Sequence, residues 1–131
     1  MHCELSVLPG GRVVLSSPSG PTTVQDRVRN RKKTVQFSQE NNINKILVDM
    51  RGQTSLSNAV DIHDFGETMP ETTRGFQIAI VCTPGDTDAQ FIETVAKNRG
   101  AFIKLFHSFD KALDWLTPSD IHSSNKQDSS S

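Results

Sequence analysis

The sequence of 131 residues has no tyrosine, only two cysteines and a net charge of only −1. Each shortage excludes something. Cys3 and Cys82 have neither metal-ligand nor redox spacing, so a disulfide framework and a cysteine metal site are both ruled out as organising features. Cys82 lies in an apolar run and reads as a buried free thiol, for which a reducing interior, the cytoplasm, is the simplest compartment. The small net charge provides no overall pull toward nucleic acid or anionic membrane. No run approaches the ~20 apolar residues of a membrane helix, and no basic segment followed by an apolar core opens the chain. Neither membrane insertion nor a signal peptide is expected. Gly-x-Gly-x-x-Gly, a Walker loop, a Gly-x-Ser-x-Gly elbow and His-Glu-x-x-His are all missing. The sequence therefore points to no cofactor and no catalytic residue.

What remains is ordinary for one globular domain, with 34% hydrophobic and 22% charged residues. The most informative stretch is Lys45-Ile46-Leu47-Val48-Asp49-Met50-Arg51-Gly52. A short β-branched apolar run between polar flanks fits a strand buried on both faces. Ligand loops leave the carboxyl ends of such strands, and here that loop covers residues 49–58.

The other elements follow in chain order. Leu5–Leu8 and Arg12–Ser16, joined by Pro9-Gly10-Gly11, read as an antiparallel hairpin, and Pro18-Ser19-Gly20-Pro21 should stop the second strand. Thr22 or Thr23 can cap a helix, with Gln25 or Asp26 as the reciprocal partner. Val24, Val28 and Val35 mark its inward stripe, opposite Arg27, Arg29, Arg31, Lys32 and Lys33. After the central strand, Ser57 can cap a helix in which Ile62, Phe65 and Met69 recur at helical spacing. Gly66 weakens that helix and Pro70 should end or bend it. Phe76–Cys82 is a second buried strand. Asp86 or Thr87 caps a helix containing Phe91, Ile92, Val95 and Ala96, which Gly100 stops. Phe102–Phe106 is the last strand, and Ser108 caps a short helix ending at Thr117-Pro118. The expected product is a small single α/β domain over residues 1–118, a mixed sheet of about five strands with about four helices. The Ser-rich residues 119–131 are expected to be disordered.

This order resembles the STAS domain, and more closely the SpoIIAA-like family of the anti-sigma factor antagonist fold. The resemblance rests on Lys45-Ile46-Leu47-Val48-Asp49, on Val95-Ala96-Lys97-Asn98-Arg99-Gly100-Ala101 and on Ala112-Leu113-Asp114-Trp115-Leu116. It implies a bacterial, non-enzymatic module that recognises a protein partner. In the phospho-regulated antagonists, an Asp-Ser-Ser-Gly motif after the central strand carries a phosphorylated serine. Here the stretch reads Leu56-Ser57-Asn58-Ala59-Val60, and Asn58 stands near the place of that serine. Ser55 and Ser57 remain as acceptors, where phosphate would meet the positive end of a helix. The partner surface is accordingly placed at Asp49, Arg51, Thr54, Ser55, Ser57 and Asn58. Arg51 can present a bidentate fork, and Asp49 can fix it.

Six other features carry expectations of their own. Some relatives of the fold are likened to lipid carriers, which implies an alternative: a small apolar ligand held between helix 57–69 and the sheet, against Phe65, Met69 and Phe91. The cluster Asp61, His63, Asp64 and Glu67 has one i, i+4 pair, but it reads as a solvated face rather than a metal site. The basic run from Arg27 to Lys33 lacks interleaved aromatics, which argues against nucleic acid. Phe37, Phe65, Phe91, Phe102, Phe106 and Phe109 read as core. Cys82 would need His107 within hydrogen-bond reach to act as a nucleophile. The edge strand 102–106, charged only at Lys104, is a candidate for covering by a second copy in a homodimer.

Overall fold

The computed structural model describes residues 1–118; the tail expected to be disordered lies outside these residues. The strand β3 (Lys45–Asp49) sits in the interior of the sheet, parallel to neighbours on both sides. Alternation along it sends Ile46 to one face and Leu47 to the other, and both are buried. The remaining elements are β1 (His2–Val7), β2 (Val14–Thr22), α1 (Val24–Glu40), β4 (Gly52–Ser55), α2 (Ala59–Thr72), β5 (Gln77–Val81), α3 (Thr87–Asn98), β6 (Ile103–Phe106) and α4 (Phe109–Leu116). The sheet order is β1-β2-β3-β5-β6, with β4 paired to β2. Only β1 runs antiparallel to its neighbour. The small mixed α/β sheet with four helices is therefore present, with one more strand than expected.

The extra strand explains why the prolines do not stop β2. Its first part pairs with β3, through Val14, Leu15 and Ser16, and its last part pairs with β4, from Ser19 to Thr22. Pro18 falls in the gap between these two ladders, and Pro21 lies beyond the end of β1 pairing at Ser19. Proline is tolerated where no ladder bond is required of it. Together β3 and β4 act as one long strand with an interruption. Ser16 faces Val48 and Ser19 faces Gly52, so the register advances by one extra residue across Asp49–Arg51. One inserted residue bends a strand and re-aims its side chains.

The helix termini are specified locally. Thr23 Oγ1 accepts from Asp26 N at 3.1 Å while Thr23 N donates to Asp26 Oδ2 at 3.0 Å. This is the reciprocal capping box anticipated for Thr23 and Asp26. At the end of α3, Gly100 takes φ +99°, Ala101 N donates to Ala96 O and Gly100 N to Lys97 O. That pair of bonds closes the helix in the Schellman manner, which the left-handed glycine permits. Asp86 caps α3 and Ser108 caps α4. The cap of α2 is Asn58, whose side chain accepts from Asp61 N at 2.9 Å, rather than Ser57. Pro70 lies inside α2 instead of ending it, two residues before the last helical residue, Thr72. Lacking an N–H, it leaves the Gly66 carbonyl without an intrahelical donor. Gly66 itself allows α2 and α3 to approach: a Cβ there would stand 3.0 Å from Val95 Cβ.

Helix α1 is rotated from its expected orientation. Val28 is exposed, whereas Arg27, Thr34 and Ser38 are buried and Val24, Arg31 and Phe37 are half-buried. Positions 24, 27, 31, 34 and 38 form an unbroken helical stripe, but a mostly polar one. Thr34 Oγ1 donates to Asn30 O at 2.7 Å and Ser38 Oγ to Thr34 O at 2.8 Å, so both hydroxyls are satisfied within the helix and can be buried. Phe91 and Phe102 are also exposed rather than in the core. The buried positions of α3 are Ala89, Ile92, Val95 and Ala96, which leaves Phe91 off that stripe, its ring 5.9 Å from that of His63. Phe102 precedes the edge strand β6 and packs edge-on against Trp115 at 5.3 Å.

Candidate functional site

The residues singled out around the central strand gather along one rim, where β3 gives way to β4 and α2 begins. Asp49 is half-buried at the end of β3, at the inserted residue's position. It accepts from Arg51 Nε at 2.9 Å, from Arg51 Nη2 at 2.8 Å and from Arg51 backbone N at 3.1 Å. The Arg51 hydrogen bonds hold the Asp49 carboxyl below its ordinary range, against a smaller opposing effect of burial. The same hydrogen bonds raise the Arg51 guanidinium. The fork of Arg51 is thus already engaged by Asp49, and the pair presents a fixed, near-neutral feature. An open groove of about 490 Å³ passes this pair and reaches Glu4, Ser17 and Ser19.

Thr54 and Ser55 are exposed on β4, opposite Pro21 and Thr22 of β2. Ser55 Oγ accepts from Ser57 N at 3.3 Å. Ser57 Oγ is buried with no hydrogen-bond partner, so as an acceptor of phosphate it is shielded and Ser55 is not. Asn58 serves as the cap of α2. Two residues that the pattern did not single out stand among them: Leu56 and Val60 are 61% and 69% exposed.

A second feature lies beneath the rim. A small, partly open cavity of about 50 Å³ lies between α1, α2 and the sheet, with Phe65 and Met69 among its walls. It has the expected location of an apolar pocket, but Phe91 lies outside it and Ile92 lines it instead. Its volume is far below the ~300 Å³ at which drug-sized ligand pockets begin. Arg27 also lines it and is only 6% exposed. The Arg27 Nε has no partner, its Nη1 reaches the Met50 sulfur at 3.9 Å, and its Nη2 stands 4.0 Å from Asp88 Oδ2. Burial pushes the Arg27 guanidinium below its usual range, and Asp88 and Asp86 only partly oppose this. Gln53 Oε1, from β4, is likewise buried without a partner on the same cavity. Arg31 closes the gap between helices. It donates to Phe65 O at 3.1 Å and to Thr68 Oγ1 at 3.0 Å, with its guanidinium 4.4 Å above the Phe65 ring. The basic run of α1 is therefore not a single solvated face: Arg27 and Arg31 turn inward, and Arg29 pairs with Asp26 at 2.6 Å.

Two further groupings acquire definite geometry. Ligand atoms of His63, Asp64 and Glu67 lie within 4.8 Å of one another, without Asp61. Glu67 is also bound by Arg99 Nη2 at 2.5 Å, which leaves the group a surface ion-pair network. Cys82 Sγ lies 3.8 Å from His107 Nδ1. The same nitrogen is 3.1 Å from the Cys82 carbonyl oxygen, which can only accept, so Nδ1 carries the proton and cannot act as a base toward the thiol. Burial pushes the Cys82 thiol up to about 11, the reverse of what a nucleophile requires.

No family model and no curated protein matches the chain. Among solved structures, it is similar to the crystal structure of an uncharacterized protein of the DUF3478 family from Shewanella loihica PV-4, described as having a SpoIIAA-like fold. The match covers 88% of this chain and 92% of that one, with a TM-score of 0.57 and 18% identity. The SpoIIAA-like fold expected from the order of elements is therefore the fold of this chain.

Proposed function

We propose that the protein is a non-enzymatic regulatory module that recognises a protein partner through the rim formed by the end of β3, β4 and the first turn of α2. The observation that carries this reading is the exposure of Leu56 and Val60, at 61% and 69%, on either side of the cap of α2. A helix start would ordinarily turn such side chains inward or replace them with polar ones. Here the two apolar groups stand within a row of hydrogen-bonding side chains: Thr54, Ser55 and Asn58, with the Asp49–Arg51 pair beyond. An apolar centre with a polar rim is the composition of a protein-binding patch. The fold supports the same reading, since a SpoIIAA-like domain suggests a STAS-type module. The unreactive state of Cys82 supports the absence of catalysis.

The test is a double substitution, Leu56→Ser with Val60→Ser, in affinity capture from extract of the source cells. Both positions are exposed, so the change in stability should stay within about 0.5 kcal/mol. The variant should lose a partner that wild type and a Val28→Ser control retain. Equal capture of the same partner by all three would remove the rim as the recognition surface.

A further inference from the structure

We propose that the cavity between α1, α2 and the sheet is a binding site for a short-chain carboxylate, with Arg27 as the group that recognises the anion. Three observations converge on it. The first is a poorly partnered cation: Arg27 is 6% exposed, its Nε has no partner, and Asp88, the acid paired with its Nη2, stands 4.0 Å away. An interior guanidinium normally sits in a bidentate pair, because its donors are costly to leave unmet. The second is chemical division within one space. Arg27 and Gln53 stand on the cavity with unmet polar atoms, while Ile46, Val48, Ile80 and Met69 provide apolar walls. That division suits a molecule with one charged end and one short apolar end. The third is size. About 50 Å³ is room for roughly three to five groups the size of a water molecule. Acetate and propionate fall in this range, and butyrate stands just above it.

Among the described residues no carboxylate lies closer to Arg27 than 4.0 Å. Asp88 and Asp86 are the acids that act on it, and Arg31 is a second cation lining the same cavity. One added carboxylate would bring Arg27 a close counter-ion. The burial that pushes the guanidinium down would then be offset. This site does not depend on partner recognition at the rim, although Gln53 belongs to β4 and so touches both.

The experiment is an amide NMR titration of the full chain with acetate, propionate, butyrate, octanoate and uncharged propionamide. Propionate or butyrate should give saturable shifts in residues 27–34 and 46–53, with Kd of about 1 mM or tighter for so few atoms. Propionamide should bind at least tenfold more weakly. Arg27→Met should weaken propionate at least tenfold, and Val48→Phe, which fills the space and leaves Arg27 in place, should abolish binding. The proposal is overturned if no carboxylate gives saturable shifts, for the cavity then holds only water. Equal binding of propionamide, or undiminished binding by Arg27→Met, would remove the anion from the assignment. Tighter binding of octanoate than of butyrate would replace the short-chain class with fatty acids.

Discussion

The two faces of the sheet are built differently, although the same strands supply both. On the face covered by α4, Val13, Leu47, Ala79, Val81, Ala112 and Leu116 are buried together, and Leu8, Leu15, Phe106, Phe109, Leu113 and Trp115 close around them. Among the described residues, that cluster includes no buried charge. The face covered by α1, α2 and α3 has the larger apolar cluster, yet it also contains Ser16, Arg27, Thr34 and Ser38 and borders a cavity. Close packing of apolar groups without a buried charge favours stability. Packing that tolerates a void and an unmet guanidinium gives up some stability at that place. The difference separates a supporting face, apolar at its buried centre, from a face that takes in polar groups and a charge.

The largest expected effect tests the supporting face. Leu47 is fully buried there, so Leu47→Ala should lower unfolding free energy by about 3 kcal/mol, within the ~2–5 kcal/mol typical of such truncations. Denaturant titration reads this directly; a loss below about 1 kcal/mol would show that this face relaxes as easily as the other. The next effect should have the opposite sign. Arg27→Met keeps the bulk of the side chain and removes a charge with no close partner, so stability should be unchanged or rise by about 1 kcal/mol. Asp88, partly exposed, can be rehydrated. A loss of several kcal/mol in the same titration would mean that Arg27 is structural, and the contrast between the faces would fail.

This contrast also explains which parts of the fold were legible in the sequence. The face under α4 was readable because Leu47, Ala79, Val81, Ala112 and Leu116 follow the simple alternations of buried strand and amphipathic helix. Caps were readable because their chemistry is local, as at Thr23, Asp86 and Ser108. The face under α1 was less legible because its inward stripe on that helix is polar. Thr34 and Ser38 satisfy themselves on preceding carbonyls, and Arg27 goes in with its Nε unmet, so the valines alone mark the wrong face of the helix. The strand β4 was missed because Gly52-Gln53-Thr54-Ser55 has no apolar residue; backbone pairing to β2 alone makes it a strand. The rim residues follow the central strand in the chain, but the insertion that bends β3 into β4 is a register shift between distant segments, invisible in either one.

The smallest expected effect lies where the two faces meet, at the carboxyl end of β3. Met50 there belongs to the apolar cluster under α1, α2 and α3, and the Arg51 guanidinium stands 6.0 Å from the Phe109 ring on α4. Arg51 holds the Asp49 carboxyl below the ~3.9 of an unfolded chain. A carboxyl lowered by folding contributes stability that is complete above the unfolded value and is lost as pH falls through the folded one. Wild type should therefore weaken from about pH 5 downward. Asp26 acts in the same window, held at about 2 first by the Thr23 backbone and then by Arg29. Arg51→Ala should make the acid decline shallower without flattening it, because the backbone N–H of residue 51 still reaches Asp49. At neutral pH the loss should stay under about 1 kcal/mol, since Arg51 is 45% exposed and solvent screens the pair. Denaturant titrations at about pH 7, 4 and 2.5 measure the slope. If the variant declines as steeply as wild type, the pair contributes nothing to folding, and its geometry at the bend would be left to serve recognition alone.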